Sequence, residues 1–145
     1  MSHTPAVVIS TPQHFDVRGG KEIVGRIRTW ASSVASGLGA DERATADIAL
    51  AVSEAATNVV YYAYNGAAEY RLSLTARRIG ERIIVRIRDY GRKFDPASVR
   101  PPNIGGEPTV GGYGIYLMRQ VMDQVHYVTT HPIGMELILI RRRHA

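Results

Sequence analysis

The sequence contains no cysteine. Disulfide bonds and thiolate metal sites are therefore excluded. It also contains no apolar run near the roughly 18 residues that a membrane-spanning helix needs, and its first residues lack the pattern of a signal peptide. We therefore expect a cytoplasmic protein that makes no contact with a membrane.

Neither an internal repeat nor a change of composition divides the 145 residues. A chain of this length is typical of one domain and can bury a sizeable core. We therefore expect a single domain over residues 1–145, with flexible ends at 1–6 and 142–145.

Acidic residues are fewer than basic ones, 13 against 18, and the net charge is +5. Most of the positive charge is arginine, in a middle segment and at the C-terminus: Arg71, Arg77, Arg78, Arg82, Arg86, Arg88, Arg141, Arg142 and Arg143. A basic protein can attract nucleic acid or an acidic partner. Because the chain has no long basic block and few aromatic residues between the charges, we favour a solvated strand face and a charged tail. We expect no direct contact with nucleic acid.

Apolar residues repeat at intervals that are typical of helices and strands. The predicted elements, in chain order, are a strand at 7–10, a helix at 20–38, a helix from the N-cap Asp41 to Asn65 and Gly66, strands at 70–77 and 83–88, a helix over 112–125, and a hairpin at 127–130 and 136–142. This order indicates an α+β fold. We expect a two-layer α/β sandwich, with a mixed, mostly antiparallel sheet and about three helices on one face.

The second predicted helix carries Glu54 and Asn58 one turn apart, so both side chains lie on the same helical face. An amide oxygen is a natural ligand for Mg²⁺, and a carboxylate one turn earlier could accept the proton of an attacking hydroxyl. Alone, this spacing also fits an exposed polar pair on a solvated face.

Two short glycine motifs follow, and each has a nucleotide-binding and a structural interpretation. Asp89, at a strand end, could accept a hydrogen bond from the amine of adenine, and Gly91 would let the backbone approach the flat base. An ordinary Asp–Gly turn is the alternative. Gly112 and Gly114 open a helix, where free N–H groups and the helix dipole favour phosphate. A flexible joint is the alternative there.

Residues 92–111 lie between these motifs and are rich in proline and glycine. A loop of this length without regular structure is unusual in a compact domain and is often a functional lid. We interpret it as a lid that is disordered without a ligand. A plain disordered insertion is the alternative.

In this order, the motifs resemble the N, G1 and G2 boxes of the GHKL ATPases, and the match is close to their RsbW-type anti-sigma-factor serine kinases. The N box corresponds to AVSEAATNVVYYAY at 51–64, the G1 box to RDYGRKFDP at 88–96, and the G2 box to GGYGIYLMRQVMDQV at 111–125. The resemblance covers nearly the whole chain from about residue 7.

The resemblance implies the Bergerat ATP-binding sandwich, with ATP and Mg²⁺ as cofactors and residues 92–111 as the ATP lid. Six residues take roles by this resemblance: Glu54 as the catalytic base, Asn58 as the nucleotide and Mg²⁺ ligand, Asp89 and Gly91 at the adenine, and Gly112 and Gly114 at the phosphates.

Members of this family hold a sigma factor inactive and phosphorylate a serine on a small anti-anti-sigma protein of the STAS type. The resemblance therefore implies an anti-sigma factor with ATP-dependent serine kinase activity. It also implies a homodimer, since relatives commonly work as one.

The sequence departs from the family pattern at three positions. Tyr62 stands where many relatives have histidine, and Met135 stands where relatives often have threonine. The fuller D-x-G-x-G form is absent, because Gly91 is followed by Arg92 and Lys93. A nucleotide-binding anti-sigma switch without phosphotransfer is therefore the alternative hypothesis. The ATPase part of a sensor histidine kinase is a third one, although His3 and His14 lie outside any predicted helix that could present a phosphoacceptor. A nucleic-acid-binding domain is the fourth hypothesis.

Overall fold

The computed structural model describes residues 6–64, 69–96 and 112–144, with 112 and 113 described by their backbone alone. The elements are β1 (Gln13–Gly19), α1 (Ile23–Gly37), α2 (Glu42–Asn58), a π-helix (Val59–Ala63), β2 (Tyr70–Ile79), β3 (Arg82–Asp89), α3 (Gly112–Val121), β4 (Gln124–Val128) and β5 (Glu136–Arg142).

The five strands form one sheet in the order β1-β2-β3-β5-β4. Every neighbouring pair is antiparallel. Side chains alternate between the two faces, so Leu72 and Leu74 of β2 lie on the same face as their partners on β3, Asp89 and Ile87. All four are buried. The predicted α+β sandwich is confirmed, and the sheet is antiparallel throughout the described part of the chain.

The three α-helices cover this buried face. α2 lies at the centre and contacts α1, α3, β3 and β5. α1 buries Ile23, Ile27, Ala31 and Ala35, whose spacing of four residues forms one apolar stripe. Truncating a buried isoleucine to alanine typically costs about 2–5 kcal/mol, so this stripe holds α1 against its neighbours.

No helix in the described part of the chain is both long enough and apolar enough to span a membrane.

α2 begins where the sequence predicts. The Oδ1 atom of Asp41 accepts a hydrogen bond from the backbone N–H of Ala44 at 2.8 Å, which satisfies one of the free donors of the first turn. At its other end, α2 changes into the π-helix directly after Asn58. The predicted helix end at Asn65 and Gly66 lies outside the described residues, as do positions 97–111 of the predicted lid.

The first strand lies later than predicted. The prediction of a strand at 7–10 is wrong, because that segment contributes a single isolated bridge between Ile9 and Ile79. The strand that pairs with β2 along its length is β1. Pro12 has no N–H to donate to a sheet, which separates the two segments.

The boundary between α3 and β4 also differs. The prediction carries the helix to Val125, but α3 ends at Val121 and β4 already begins at Gln124. Asp123 donates its N–H to the carbonyl of Ile140 at 2.9 Å, which starts the strand pairing. Val125 matches the helical period of α3, yet it lies on the inner face of β4, and periodicity alone cannot separate the two.

The segment near the C-terminus takes part in the sheet. β5 continues through Arg142. The N–H of Arg143 donates to the carbonyl of Glu81 at 2.9 Å, and its carbonyl accepts from the N–H of Asp41 at 2.8 Å. Strand pairing thus reaches Arg142 and backbone hydrogen bonds reach Arg143, while the flexibility expected at 142–145 stays a prediction.

Candidate functional site

α2, the end of β3 and the first turn of α3 meet around one site. A small cavity is lined by Asn58 of α2, Asp89 of β3 and Met135, which precedes β5. Glu54 lies one turn before Asn58 and contacts α3, because a Cβ atom placed on Gly114 would be 2.7 Å from Oε2 of Glu54. The fold thus brings together residues that are 60 positions apart in sequence.

Asn58 is 2% exposed, and neither its Oδ1 nor its Nδ2 atom has a hydrogen-bond partner among the described residues. Leaving buried polar groups unpaired costs about 1–3 kcal/mol each. A bound group that supplies partners would remove this cost. The amide oxygen is a hard ligand that suits Mg²⁺, and the amide nitrogen can donate to a phosphate oxygen. The side chain therefore fits the metal and the phosphates that the sequence predicts.

Glu54 is half-buried, and its carboxylate forms no hydrogen bond or ion pair within the described part of the chain. It lies directly against Gly114, where the absence of a side chain leaves it room. A carboxylate in this position can take a proton from a hydroxyl brought next to it.

Asp89 is 3% exposed. Its Oδ1 atom accepts from the N–H of Gly91 at 3.0 Å and from the N–H of Met135 at 3.4 Å. Burial raises the pKa of Asp89 above its ordinary 3.8, while these two donors oppose the rise. Its Oδ2 atom accepts no hydrogen bond from the described residues, which leaves it available to an amine such as that of adenine.

Gly91 lies against the π-helix, and Gly112 lies at the start of α3. Gly91 lies so close to the π-helix that a Cβ atom there would overlap the carbonyl of Ala63. The glycine therefore allows β3 and the π-helix to meet next to Asp89. Gly112 is the first residue of α3, where the N–H groups of a helix have no partner within the helix.

Sequence reasoning missed how the turn before β5 holds Asp89. The N–H of Asp89 donates to the carbonyl of Met135 at 3.0 Å, and the N–H of Met135 returns a bond to the carboxylate. Gly134 has a φ of 71°, and a Cβ atom there would overlap the carbonyl of Asp89. The sequence shows Gly134 and Met135 only as a departure from the family pattern, because the pairing of β3 with β5 is not local.

Phe94 and Tyr127 form the other wall of the cavity, and sequence reasoning assigned these two residues no role. Phe94 stacks on Tyr62 at 5.2 Å between ring centroids and meets Tyr127 edge-on at 6.3 Å. The N–H of Phe94 also points at the sulfur of Met135, 3.4 Å away. These contacts reduce the cavity to about 10 Å³, the room of one water molecule. A purine base would have to displace Phe94 or Met135 to enter.

The comparisons with known proteins agree with these features. The profile of the histidine kinase-like ATPase domain matches residues 20–141. The serine-protein kinase RsbW of Bacillus subtilis strain 168 is 34% identical over 111 residues, which cover 72% of this chain and 69% of that protein. RsbW of Halalkalibacterium halodurans is 32% identical over 130 residues, or 85% of this chain and 76% of its own.

A solved structure supports the same fold. The RsbU and RsbW domains of a Mycobacterium tuberculosis protein superpose with a TM-score of 0.66 over 92% of this chain, at 17% identity. The chain spans about a third (32%) of that longer protein. From the profile match and the identity to these relatives, the chain belongs to the histidine kinase-like ATPase family, and within it to the RsbW-type serine-protein kinases.

Proposed function

We propose that the protein is an anti-sigma factor with ATP-dependent serine kinase activity. The observation that carries the proposal is the buried, unpartnered amide of Asn58, which lies one turn from the free carboxylate of Glu54 and lines the same cavity as Asp89. Relatives that are 31–34% identical bear the name serine-protein kinase, which supports the same activity here.

Each site residue has a separate proposed role in the reaction. Asp89 would accept a hydrogen bond from the adenine amine, with Gly91 leaving room for the base. The free N–H groups at the start of α3, at Gly112 and Gly114, would bind phosphate oxygens. Asn58 would hold Mg²⁺, which when bound neutralises charge on the phosphates.

Glu54 would complete the transfer. The serine hydroxyl of the partner protein attacks the γ-phosphorus, the bond to the β-phosphate oxygen breaks, and ADP leaves with that oxygen. The hydroxyl proton passes to the carboxylate of Glu54, in the manner of other general bases in phosphoryl transfer. The products are ADP and a phosphoserine.

The partners follow from the family. The protein would hold a sigma factor inactive until an unphosphorylated anti-anti-sigma protein of the STAS type displaces it. We further propose that the protein acts in the cytoplasm, where sigma factors work, and that it forms a homodimer. A sedimentation mass of twice the 16.0 kDa of one chain would support the dimer.

A nucleotide-binding switch without phosphotransfer is the second candidate. The departures from the family pattern at Met135 and directly after Gly91 favour it. ATP binding without any phosphoserine on the cognate STAS protein would support the switch and contradict the kinase.

The variant Glu54→Gln tests the proposed kinase. Phosphate transfer from labelled ATP to the purified STAS partner should fall by roughly 10²–10⁴, because a catalytic base is removed. ATP affinity should stay the same. Glu42→Gln is the matched control, since Glu42 is exposed in the first turn of the same helix. If Glu54→Gln kept the full transfer rate, Glu54 would not be the base.

A further inference from the structure

The hydroxyl of Tyr64 forms hydrogen bonds both to β2 and to the segment directly after β3. It donates to the carbonyl of Arg71 on β2 at 2.8 Å and accepts from the N–H of Tyr90 at 2.8 Å. Tyr64 directly follows the π-helix, and Tyr90 lies between Asp89 and Gly91. One oxygen atom therefore connects the end of the helix that carries Asn58 with the residues expected to bind the base.

Each N–H group from residue 89 to residue 92 has a defined acceptor. The four acceptors are the carbonyl of Met135 for Asp89, the hydroxyl of Tyr64 for Tyr90, the carboxylate of Asp89 itself for Gly91, and the carbonyl of Ala63 for Arg92. Two of these acceptors are backbone atoms, and a third is the carboxylate of Asp89. The hydroxyl of Tyr64 is thus the one acceptor that a substitution can remove without altering the backbone or Asp89.

The environment of Tyr64 keeps its hydroxyl in the form that this bridge needs. A phenol can donate one hydrogen bond and accept another only while it is protonated. Burial raises the pKa of Tyr64 above its ordinary 10.0. The ring packs against Tyr70, with 5.9 Å between centroids, which fixes the direction of the hydroxyl.

The side chain of Tyr90 is held by contacts of its own, in addition to the bond at its backbone N–H. The guanidinium groups of Arg71 and Arg88 lie 4.2 and 4.7 Å from the centroid of its ring, and its hydroxyl is 3.0 Å from that of Ser73. These contacts anchor the side chain of Tyr90 on the outer face of the sheet. The bond from Tyr64 holds its backbone, so the turn between Asp89 and Gly91 has little freedom.

We propose that Tyr64 is a positioning residue for nucleotide recognition, because its hydroxyl sets the backbone that aims the Asp89 carboxylate at the base. This inference rests on the proposed ATP-binding function. It assigns no contact between Tyr64 and the nucleotide. Its effect is therefore on the affinity for the adenine end and not on the transfer of phosphate.

The test compares Tyr64→Phe with Tyr70→Phe in the full chain. Both variants remove one phenol oxygen from the same ring pair, but the hydroxyl of Tyr70 makes no hydrogen bond within the described part of the chain. Calorimetry measures the Kd for ATP and for ADP. Steady-state transfer to the STAS partner separates KM from kcat, and amide exchange by NMR reports on the N–H of Tyr90.

Tyr64→Phe should weaken ATP and ADP binding by the same factor, about tenfold. The N–H of Tyr90 loses its acceptor, so the Asp89 carboxylate shifts, whereas the groups that bind the phosphates stay in place. The kcat at saturating ATP should stay close to that of the unsubstituted protein, and the Tyr90 amide should exchange faster. Tyr70→Phe should change none of these.

Three results would overturn the inference. Unchanged ATP affinity in Tyr64→Phe would show that the hydroxyl does not position Asp89. Equal losses in kcat and in thermal stability, without a specific rise in Kd, would assign Tyr64 a purely structural role. Failure of the unsubstituted protein to bind ATP would instead reject the proposed function. The inference would fail with it. This result can be told apart from the other two because it does not depend on either variant.

Discussion

Asp89 and Asn58 are polar residues that the protein buries almost completely, at 3% and 2% exposure. Burying a carboxylate or an amide with too few partners costs free energy of folding. Asn58 has no hydrogen-bond partner among the described residues. Asp89 has two N–H donors, but burial still raises its pKa. Such a cost is typical of sites where stability is exchanged for binding.

Asp89→Asn should therefore stabilise the fold at neutral pH and weaken ATP binding. The folded-state pKa of Asp89 is raised, so its favourable contribution is complete below the unfolded value near 3.8 and is lost as the pH rises through the folded value. At neutral pH the protein carries the full penalty, and an amide does not. The rise in Tm on substitution should shrink as the pH falls towards the ordinary pKa of aspartate.

The same variant should bind ATP about 10- to 100-fold more weakly, because an amide nitrogen would face the adenine amine or leave it unpaired. Thermal melts across pH and titration calorimetry measure the two effects. Asp16→Asn on the outer face of β1 is the control, since Asp16 is exposed. A lower Tm for Asp89→Asn at neutral pH would contradict the assigned sign.

Gly114→Ala tests the contact between α3 and the proposed base. The new Cβ atom would lie 2.7 Å from Oε2 of Glu54 and 3.4 Å from its Cβ, so the carboxylate must move. A displacement near 1 Å can cost about 100-fold in rate, and we expect a loss of that order in kcat. Gly25→Ala on α1 has nothing within 4 Å of the new atom and should leave kcat unchanged. Equal kcat values for the two variants would refute the contact.

At the scale of elements, α2 is held over the sheet by a partly buried ion pair as well as by its apolar face. The Nη2 atom of Arg141, on β5, lies 2.9 Å from Oδ2 of Asp47, on α2. Arg141 is 8% exposed. Its guanidinium also donates to the carbonyl of Arg142 at 2.8 Å, so its direction is fixed. The pair connects the helix that carries Glu54 to a central strand.

Asp47→Ala should lower the free energy of unfolding by about 2–3 kcal/mol, because it leaves the charge of Arg141 buried without a partner. Chemical denaturation measures this change. Glu69→Ala breaks the pair between Glu69 and Arg18, whose side chains are 62% and 63% exposed, and should cost less than about 0.5 kcal/mol. A comparable loss in both variants would show that burial does not set the strength of the Asp47 pair.

The π-helix, like β1, is an element that local sequence rules did not predict. It follows Asn58 directly, and its last carbonyl, that of Ala63, accepts from the N–H of Arg92 at 2.9 Å. Segments of π-helix are rare and are frequently found at functional sites. Helical periodicity at 59–63 predicts an ordinary continuation of α2, because five residues are too few for the apolar pattern to separate a π-helix from an α-helix. The bond that marks the π-helix runs from the N–H of Tyr64 to the carbonyl of Val59, at 3.1 Å.

For the whole molecule, the proposed site predicts that ligand binding and stability are linked. ATP with Mg²⁺ at a concentration of a hundred times Kd should raise the free energy of unfolding by about 2.7 kcal/mol. Removing Mg²⁺ with a chelator should remove part of this gain. In Asn58→Ala, the gain from ATP should no longer depend on Mg²⁺. An identical melting shift with and without Mg²⁺ in the unsubstituted protein would contradict a metal at this site.

Local sequence determined most of the elements of this protein. The period of two at 70–77 and 83–88 predicted β2 and β3, and Asp41 marked the start of α2. The N, G1 and G2 boxes, in this order along the chain, identified the family and the candidate residues. These features depend on neighbours within a few positions, or on motifs that are read directly, so the sequence alone was sufficient for them.

Tertiary structure decided the rest, because it depends on pairings between distant segments. Only the sheet register shows that β1, and not the more apolar segment at 7–10, is the edge strand. Only the pairing of β3 with β5 places the backbone of Met135 on Asp89. The hydroxyl of Tyr64 likewise gains its partners on β2 and after β3 only when the chain is folded. Composition and local spacing do not predict such contacts, because each contact depends on how two distant segments are placed in the folded chain.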